Sequence, residues 1–230
     1  MSLPNEYIVA LQCTKGIGAA TVSKVCDALH DCRYEITSIG ELFDFIEDRI
    51  KSGNFKRVAL PEYDELEAGL RAARHIMRLN EDLGIGMISR YEENFPKMLL
   101  GTVDESSKPA VPSLLYYKGD LSVTQRPALA VIGTREPSPA GKMAGEYYAS
   151  AFAAIGVNIV SGLALGCDTT GHRGALDAGG VTTAFLAHGL DSTYPQENTD
   201  LAMEIVGKGG LLMSEYPVGT RVNRYNLVAI

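Results

Sequence analysis

The chain has 230 residues, of which 46% are apolar, with a formal net charge of −7. That length buries a real core, in one large domain or in a medium domain plus a small one, and no apolar run approaches the roughly 20 residues of a membrane-spanning helix. The negative charge argues against a broad nucleic-acid-coating surface and restricts any such binding to a local basic pocket.

The four cysteines, Cys13, Cys26, Cys32 and Cys167, make no Cys-x-x-Cys pair, and the four histidines are scattered. This composition reads as reduced thiols used as small core residues, with no metal and no cofactor expected. Residues 1–12 lack the basic start and apolar block of a signal peptide, so a cytoplasmic protein without membrane attachment is expected.

Taken in order, the first 82 residues read as a small all-helical domain. "TVSKVCDAL" and "IGELFDFIEDRI" place apolar residues three and four apart, and "DELEAGLRAARHIMRLNEDLG" is a third amphipathic stretch stopped by Gly84. Between helical segments lies Gly16-Ile17-Gly18. It suits either a helix-hairpin-helix motif offering backbone N–H groups to a DNA phosphate or a plain tight turn. A second regime, residues 83–230, opens with the strand "GMIS", a short helix in "ENFPKMLL", a loop through "DESSKPAVP" and the strand "SLLYYKG".

From Ala128 strands and helices alternate. "ALAVIG" leads to a helix with Ser138 as N-cap and Pro139 at its first position, ending at Gly156. "VNIVS" precedes a helix around 169–178, "VTTAFLA" one near 198–207, and "GGLLMS" is a further strand. Apolar strands alternating with helices predict an α/β, Rossmann-like, doubly wound and mainly parallel sheet. Ligands in such sheets bind beyond the carboxyl ends of the strands. Four loops should therefore meet on one rim: Gly133-Thr134-Arg135, Ser161-Gly162, His188 to Asp191, and Ser214 to Pro217.

Gly133 permits close backbone approach, Thr134 offers a hydroxyl, and Arg135 a planar fork suited to phosphate oxygens. The helix from Ser138 turns its positive end to the same place. Ser161-Gly162 repeats the arrangement, so the rim reads as an anion site, against the alternative that Arg135 pairs with Glu136 or Glu215 and ties loops together. Catalytic residues are not expected. Asp168 and His172 share a helix face, yet a helix-start Asp is more often a cap and such a His more often structural. Asp191 and Glu215 end different strands with nothing to fix their separation, and no nucleophile elbow or P-loop occurs.

"AVIGTREPSPAG", "IVSGLALGCDTTGHRGAL", "GLDSTYPQEN" and "GGLLMSEYPVGT", with the upstream "ENFPKMLL…LLYYKGDL", resemble in order and spacing the DNA-processing protein A (DprA, or Smf) family over residues 85 to about 220. The helical N-terminus resembles the sterile-alpha-motif-like or helix-hairpin-helix domain of many members. The resemblance implies a non-enzymatic protein that binds and shields single-stranded DNA and loads the RecA recombinase during natural transformation, acting as a homodimer. It implies that Gly133, Thr134 and Arg135 grip the strand's phosphates, and that Ser161, Gly162, Tyr194, Gln196, Asn198 and Arg224 line the same pocket.

The sequence departs from the family near its end. The Phe-Pro-x-Arg-Asn-Arg segment that usually follows "SEYP" is not in register in "GTRVNRYNLVAI". Part of the DNA pocket and the last sheet-covering elements are thus expected to be missing, with apolar surface left bare near the strand at 211–214. Two alternatives come from other classes: a Rossmann-like enzyme hydrolysing nucleoside monophosphates, whose Pro-Gly-Gly-x-Gly-Thr loop is not found here, and a nucleotide-sensing module.

Overall fold

The computed structural model describes residues 3–103 and 110–223. They divide into two compact units: residues up to Asp82 together with 87–95 and 99–114, and 83–86, 96–98 and from Leu115 onward.

The first unit contains helices α1 (Asn5–Cys13), α2 (Ala19–Cys32), α3 (Ile39–Lys51) and α4 (Tyr63–Leu83). Each follows from local sequence. Ser38 accepts the Glu41 N–H at 3.2 Å while the Glu41 carboxylate accepts the Thr37 N–H at 2.8 Å, a reciprocal cap that starts α3. Gly84, at φ +65°, ends α4 where the sequence predicts. The α4 stripe Leu66, Leu70 and Ala73 is buried, and α4 meets α1 at Gly69, where a Cβ would lie 2.5 Å from the Ala10 carbonyl oxygen. Arg90, nearly buried, pairs with Asp27 and donates to Ser23 Oγ at 2.9 Å and the Val111 carbonyl at 3.0 Å, tying α2 to the segments around 90 and 111.

Strands β1 (Gly86–Ser89), β2 (Leu114–Gly119), β3 (Ala128–Ala130), β4 (Asn158–Ser161), β5 (Thr182–Leu186) and β6 (Leu211–Ser214) form one sheet in the order β1-β2-β6-β5-β4-β3. β3, β4, β5 and β6 run parallel, with Leu129 opposite Ile159, Val160 opposite Thr183 and Ala184 opposite Leu212. β2 runs antiparallel to β6, with Tyr116 opposite Ser214. Helices α5 (Pro139–Ala154), α6 (Cys167–Asp177) and α7 (Thr199–Gly207) fill the connections, as a right-handed parallel crossover requires. α5 and α6 approach through small residues: a Cβ on Gly174 would lie 2.7 Å from the Glu146 carbonyl oxygen and 3.0 Å from Ala149 Cβ. Beneath them Ala149, Ala153, Ile159 and Ala175 make a buried cluster.

The bare apolar surface lies elsewhere than the sequence predicts. β6 is buried along its whole length, with β2 and β5 paired along its two edges. The exposed surface is on α5. Met143, Ala144, Tyr147, Tyr148, Ala151, Phe152, Ala154 and Ile155 are all exposed, and at 100° per residue they span about half the helix circumference. Beside them β3 is an edge strand. Val131 N–H donates to Val160 O, and Pro127 O accepts the Asn158 N–H. The strand's intervening residues, Ala128 and Ala130, therefore turn their backbone groups to the open edge.

Candidate functional site

The parallel strands deliver their carboxyl ends to a cavity of about 1080 Å³. Arg135 and Gly162 line it from the loops after β3 and β4, and Phe185 to His188 from the end of β5. Ser192 to Glu197 close it from the loop before α7, with Arg221 and Val222 from the segment after β6. The fourth loop expected on the rim, Ser214 to Pro217, does not reach the cavity, and the chain returns to it only at Arg221.

The β3–α5 loop is held by contact with the start of α6. The Thr134 carbonyl accepts the Cys167 N–H at 3.0 Å. A Cβ on Gly133 would lie 2.6 Å from Cys167 Sγ, and one on Gly166 (φ +82°) would lie 2.5 Å from the Arg135 carbonyl oxygen. Gly133 thus packs closely on the Cys167 side chain, and Thr134 Oγ1, at the surface, accepts the Glu136 N–H at 3.2 Å. Neither lines the cavity. Arg135 does, is exposed, and makes no ion pair among the described residues. Ser138 caps α5 through a 3.1 Å bond from the Gly141 N–H, as its position in the sequence predicts.

The turn between β4 and α6 is internally satisfied. Asp168 Oδ2 accepts the N–H groups of both Gly162 and Ala164 at 3.1 Å. Asn198 Nδ2 donates to the carbonyls of Leu163 and Ala164 at 2.8 and 3.2 Å and to Thr169 Oγ1 at 2.9 Å. These bonds hold Leu163 in a left-handed conformation, φ +64°, which costs a β-carbon residue on the order of 1 kcal/mol. Ser161 Oγ donates to the Val131 carbonyl at 2.6 Å. Gly162 thus contributes shape to the cavity and no free N–H, while Ser161 and Asn198 act beneath its surface. Tyr194, 48% exposed, and Gln196 face the cavity. Arg224 lies outside the described residues.

Asp168, His172 and Asp191 are each engaged in hydrogen bonds within the fold. Thr182 Oγ1 donates to the Ile159 carbonyl at 2.6 Å, so it accepts from His172 Nδ1 at 2.7 Å, which fixes the neutral Nδ1–H tautomer. Burial lowers the His172 pKa to about 4. Asp191 Oδ1 accepts the Gly219 N–H at 3.0 Å, and burial raises the Glu215 carboxyl above its ordinary value. Sequence reasoning missed Arg221. The available signal was the tripeptide Gly219-Thr220-Arg221, which repeats Gly133-Thr134-Arg135.

Comparison with known proteins decides the family. The family model described as DNA recombination-mediator protein A matches residues 86–229. The chain belongs to this family. It is 35% identical over 140 residues to Protein Smf of Escherichia coli (61% of this chain, 36% of that protein). It is 29% identical over 180 residues to the DNA processing protein DprA of Bacillus subtilis (78% and 56%). The chain therefore spans between a third and just over a half of these family members. The X-ray structure of DprA from Streptococcus pneumoniae superposes with a TM-score of 0.75 at 26% identity, covering 100% of this chain and 73% of that one. DNA processing protein A from Helicobacter pylori, the subject of a study of its single-stranded DNA binding mode, superposes with a TM-score of 0.52 at 28% identity over 63% of this chain and 61% of that one. Among the described residues no helix is long and apolar enough to cross a membrane.

Proposed function

We propose that this protein binds single-stranded DNA in the cavity at the carboxyl ends of β3, β4 and β5, and holds it without turnover for a recombinase of the RecA class. The observation that carries the reading is Arg135, an arginine without an ion pair among the described residues, set in the cavity wall just ahead of the α5 N-terminus. A guanidinium beside a helix N-terminus favours an anion from two directions. Tyr194 at the same wall offers a ring face on which an unpaired base can stack, an interaction that a duplex denies. The family membership and the single-stranded DNA binding mode studied in the Helicobacter pylori protein agree with this ligand. Binding without hydrolysis is supported by the engagement of Asp168 and Asp191 with backbone N–H groups, which leaves neither placed as a free general base.

We further propose that the protein works as a homodimer through its Rossmann-like unit, for which the exposed apolar half of α5 is the supporting observation. The test is an anisotropy titration of the 230-residue chain with a labelled 20-nucleotide single strand, the matching duplex and a nucleoside monophosphate. Tight binding of the single strand supports the reading. Preference for the monophosphate, with release of free base, establishes the hydrolase alternative instead.

A further inference from the structure

The helical unit carries a run of charge that the cavity does not use. From Arg49 to Pro61, the end of α3 and most of the connector to α4, stand Arg49, Lys51, Lys56 and Arg57 with no acid among them, in a chain of net charge −7. Two of the four are spent locally. Lys51 pairs with Glu47 at 2.8 Å, while Arg49 donates to Cys32 Sγ at 2.6 Å and lies over the Phe45 ring, 5.0 Å from its centre. Lys56 and Arg57 are exposed and make no ion pair among the described residues. We propose that these two cations, with Lys24 of α2, form a phosphate-binding surface for duplex DNA, separate from the single-strand cavity.

The fold brings the three together. The N–H groups of Asn54 and Phe55 both donate to the Arg49 carbonyl at 3.0 Å, which folds the connector back on the end of α3. Phe55 and Val58 are buried, the first edge-on to Phe45 at 6.4 Å, so the Lys56-Arg57 pair between them is held at the surface. Lys24 Nζ donates to the Lys56 carbonyl at 3.3 Å. That bond sets a third exposed cation beside the pair and leaves its remaining protons for a ligand. Two flanking acids are engaged elsewhere: Asp27 accepts from Arg90 and Tyr91, and Glu47 holds Lys51. Arg57 stands at φ +62°, so the turn carries a guanidinium where glycine would fold with less strain. The Gly16 turn is not part of the surface, because Glu62 and Glu65 share the small cavity beside it with Lys15. Duplex is the ligand that fits. It carries twice the charge per unit length of a single strand, and the Phe55 ring beside the cations is buried and offers no face to an unpaired base.

The experiment titrates the labelled single strand and its matching duplex, from about 50 mM salt upward. The proteins are the 230-residue wild type, the triple variant Lys24→Ala, Lys56→Ala, Arg57→Ala, the single variant Arg57→Lys, and Arg135→Ala. Wild-type duplex binding is expected to be the weaker of the two, with a slope of log K against log salt of about −2.7, or about 0.9 for each contact. The triple variant should lose duplex affinity about tenfold and flatten that slope, with single-strand affinity within about twofold of the wild type. Arg57→Lys should keep the slope. Arg135→Ala should show the reverse pattern, a loss on the single strand alone. Unchanged duplex affinity and slope in the triple variant, or a loss confined to the single strand, overturns the inference. Failure of the wild type to bind duplex at about 50 mM salt overturns it too, and leaves the single-strand reading standing. Displacement of the duplex by polyglutamate as readily as by unlabelled duplex would make the partner an acidic polypeptide and overturn it as well. The three side chains are exposed, so thermal melts matching the wild type assign the loss to the ligand contact.

Discussion

Asp168 places one carboxylate oxygen 3.1 Å from the N–H of Gly162 and an equal distance from that of Ala164. The turn after β4 is therefore an anion site that the protein fills with its own side chain. The equivalent loop after β3 has no such internal anion, and there Arg135 is presented to solvent. This division leaves one of two similar loops filled by an internal carboxylate and the other with its arginine exposed. Replacing Asp168 with Ala leaves two N–H groups unpaired and should cost about 2–3 kcal/mol. Urea unfolding of the variant beside the wild type measures it, and a loss below 1 kcal/mol would show that water serves these groups as well.

Arg135→Ala should weaken single-strand binding by about 1.5–3 kcal/mol, the value of a charge-assisted contact. Lys142→Ala should change it less than twofold, because Lys142 is a solvated α5 residue that reaches Glu146 only at 4.0 Å. Equal effects of the two substitutions in one anisotropy series would remove Arg135 from the site.

Binding should favour single-stranded over duplex DNA and depend only mildly on salt. With Arg135 as the charged contact, the slope of log K against log salt is expected at about −0.7, far shallower than that of a protein coating a duplex. A slope steeper than about −4, or equal affinity for the two forms, would point to a broad basic surface, which the net charge of −7 does not favour.

His172 sets a pH limit on stability. Its pKa is lowered to about 4 in the fold by burial, against about 6.5 when exposed. Between these values the unfolded chain binds the proton and the folded one does not. The stabilisation is complete above about pH 6.5 and is lost as pH falls toward 4. The expected loss from this group at pH 5 is about 2 kcal/mol. His172→Gln should be less stable at pH 7 but lose correspondingly less between pH 7 and pH 5, as measured by denaturant midpoints at the two values.

The bare α5 face predicts self-association. A lysine at Tyr147, 69% exposed in the middle of that face, introduces a charge that an apolar contact must desolvate. Wild-type light scattering should rise with concentration and the Tyr147→Lys curve should stay flat. Identical curves would free α5 from any role in dimerisation.

Much of this fold is local chemistry and was readable in the chain. Ser138-Pro139 starts α5 and Gly84 stops α4 because caps and left-handed glycines act within a few residues of themselves. The apolar runs from Ala128 to Ser214 define a parallel sheet because a strand buried on both faces has no polar alternation. Family motifs such as "GLALGCDTTGH" and "GLDSTYPQEN" were legible for the same reason, being contiguous. What the tertiary structure decided is which atoms of those motifs are free. Ser161, Asn198 and the Gly162 N–H looked available in the sequence. All three are consumed by Val131, by the turn at Leu163–Ala164 and by Asp168, across gaps of six to thirty-five residues. Arg221 joined Arg135, 86 positions away, only because β6 lies beside β5 and its exit is laced to Gly189. Hydrogen-bond partners and strand order depend on closure of the whole sheet, and no window of neighbouring residues contains that information.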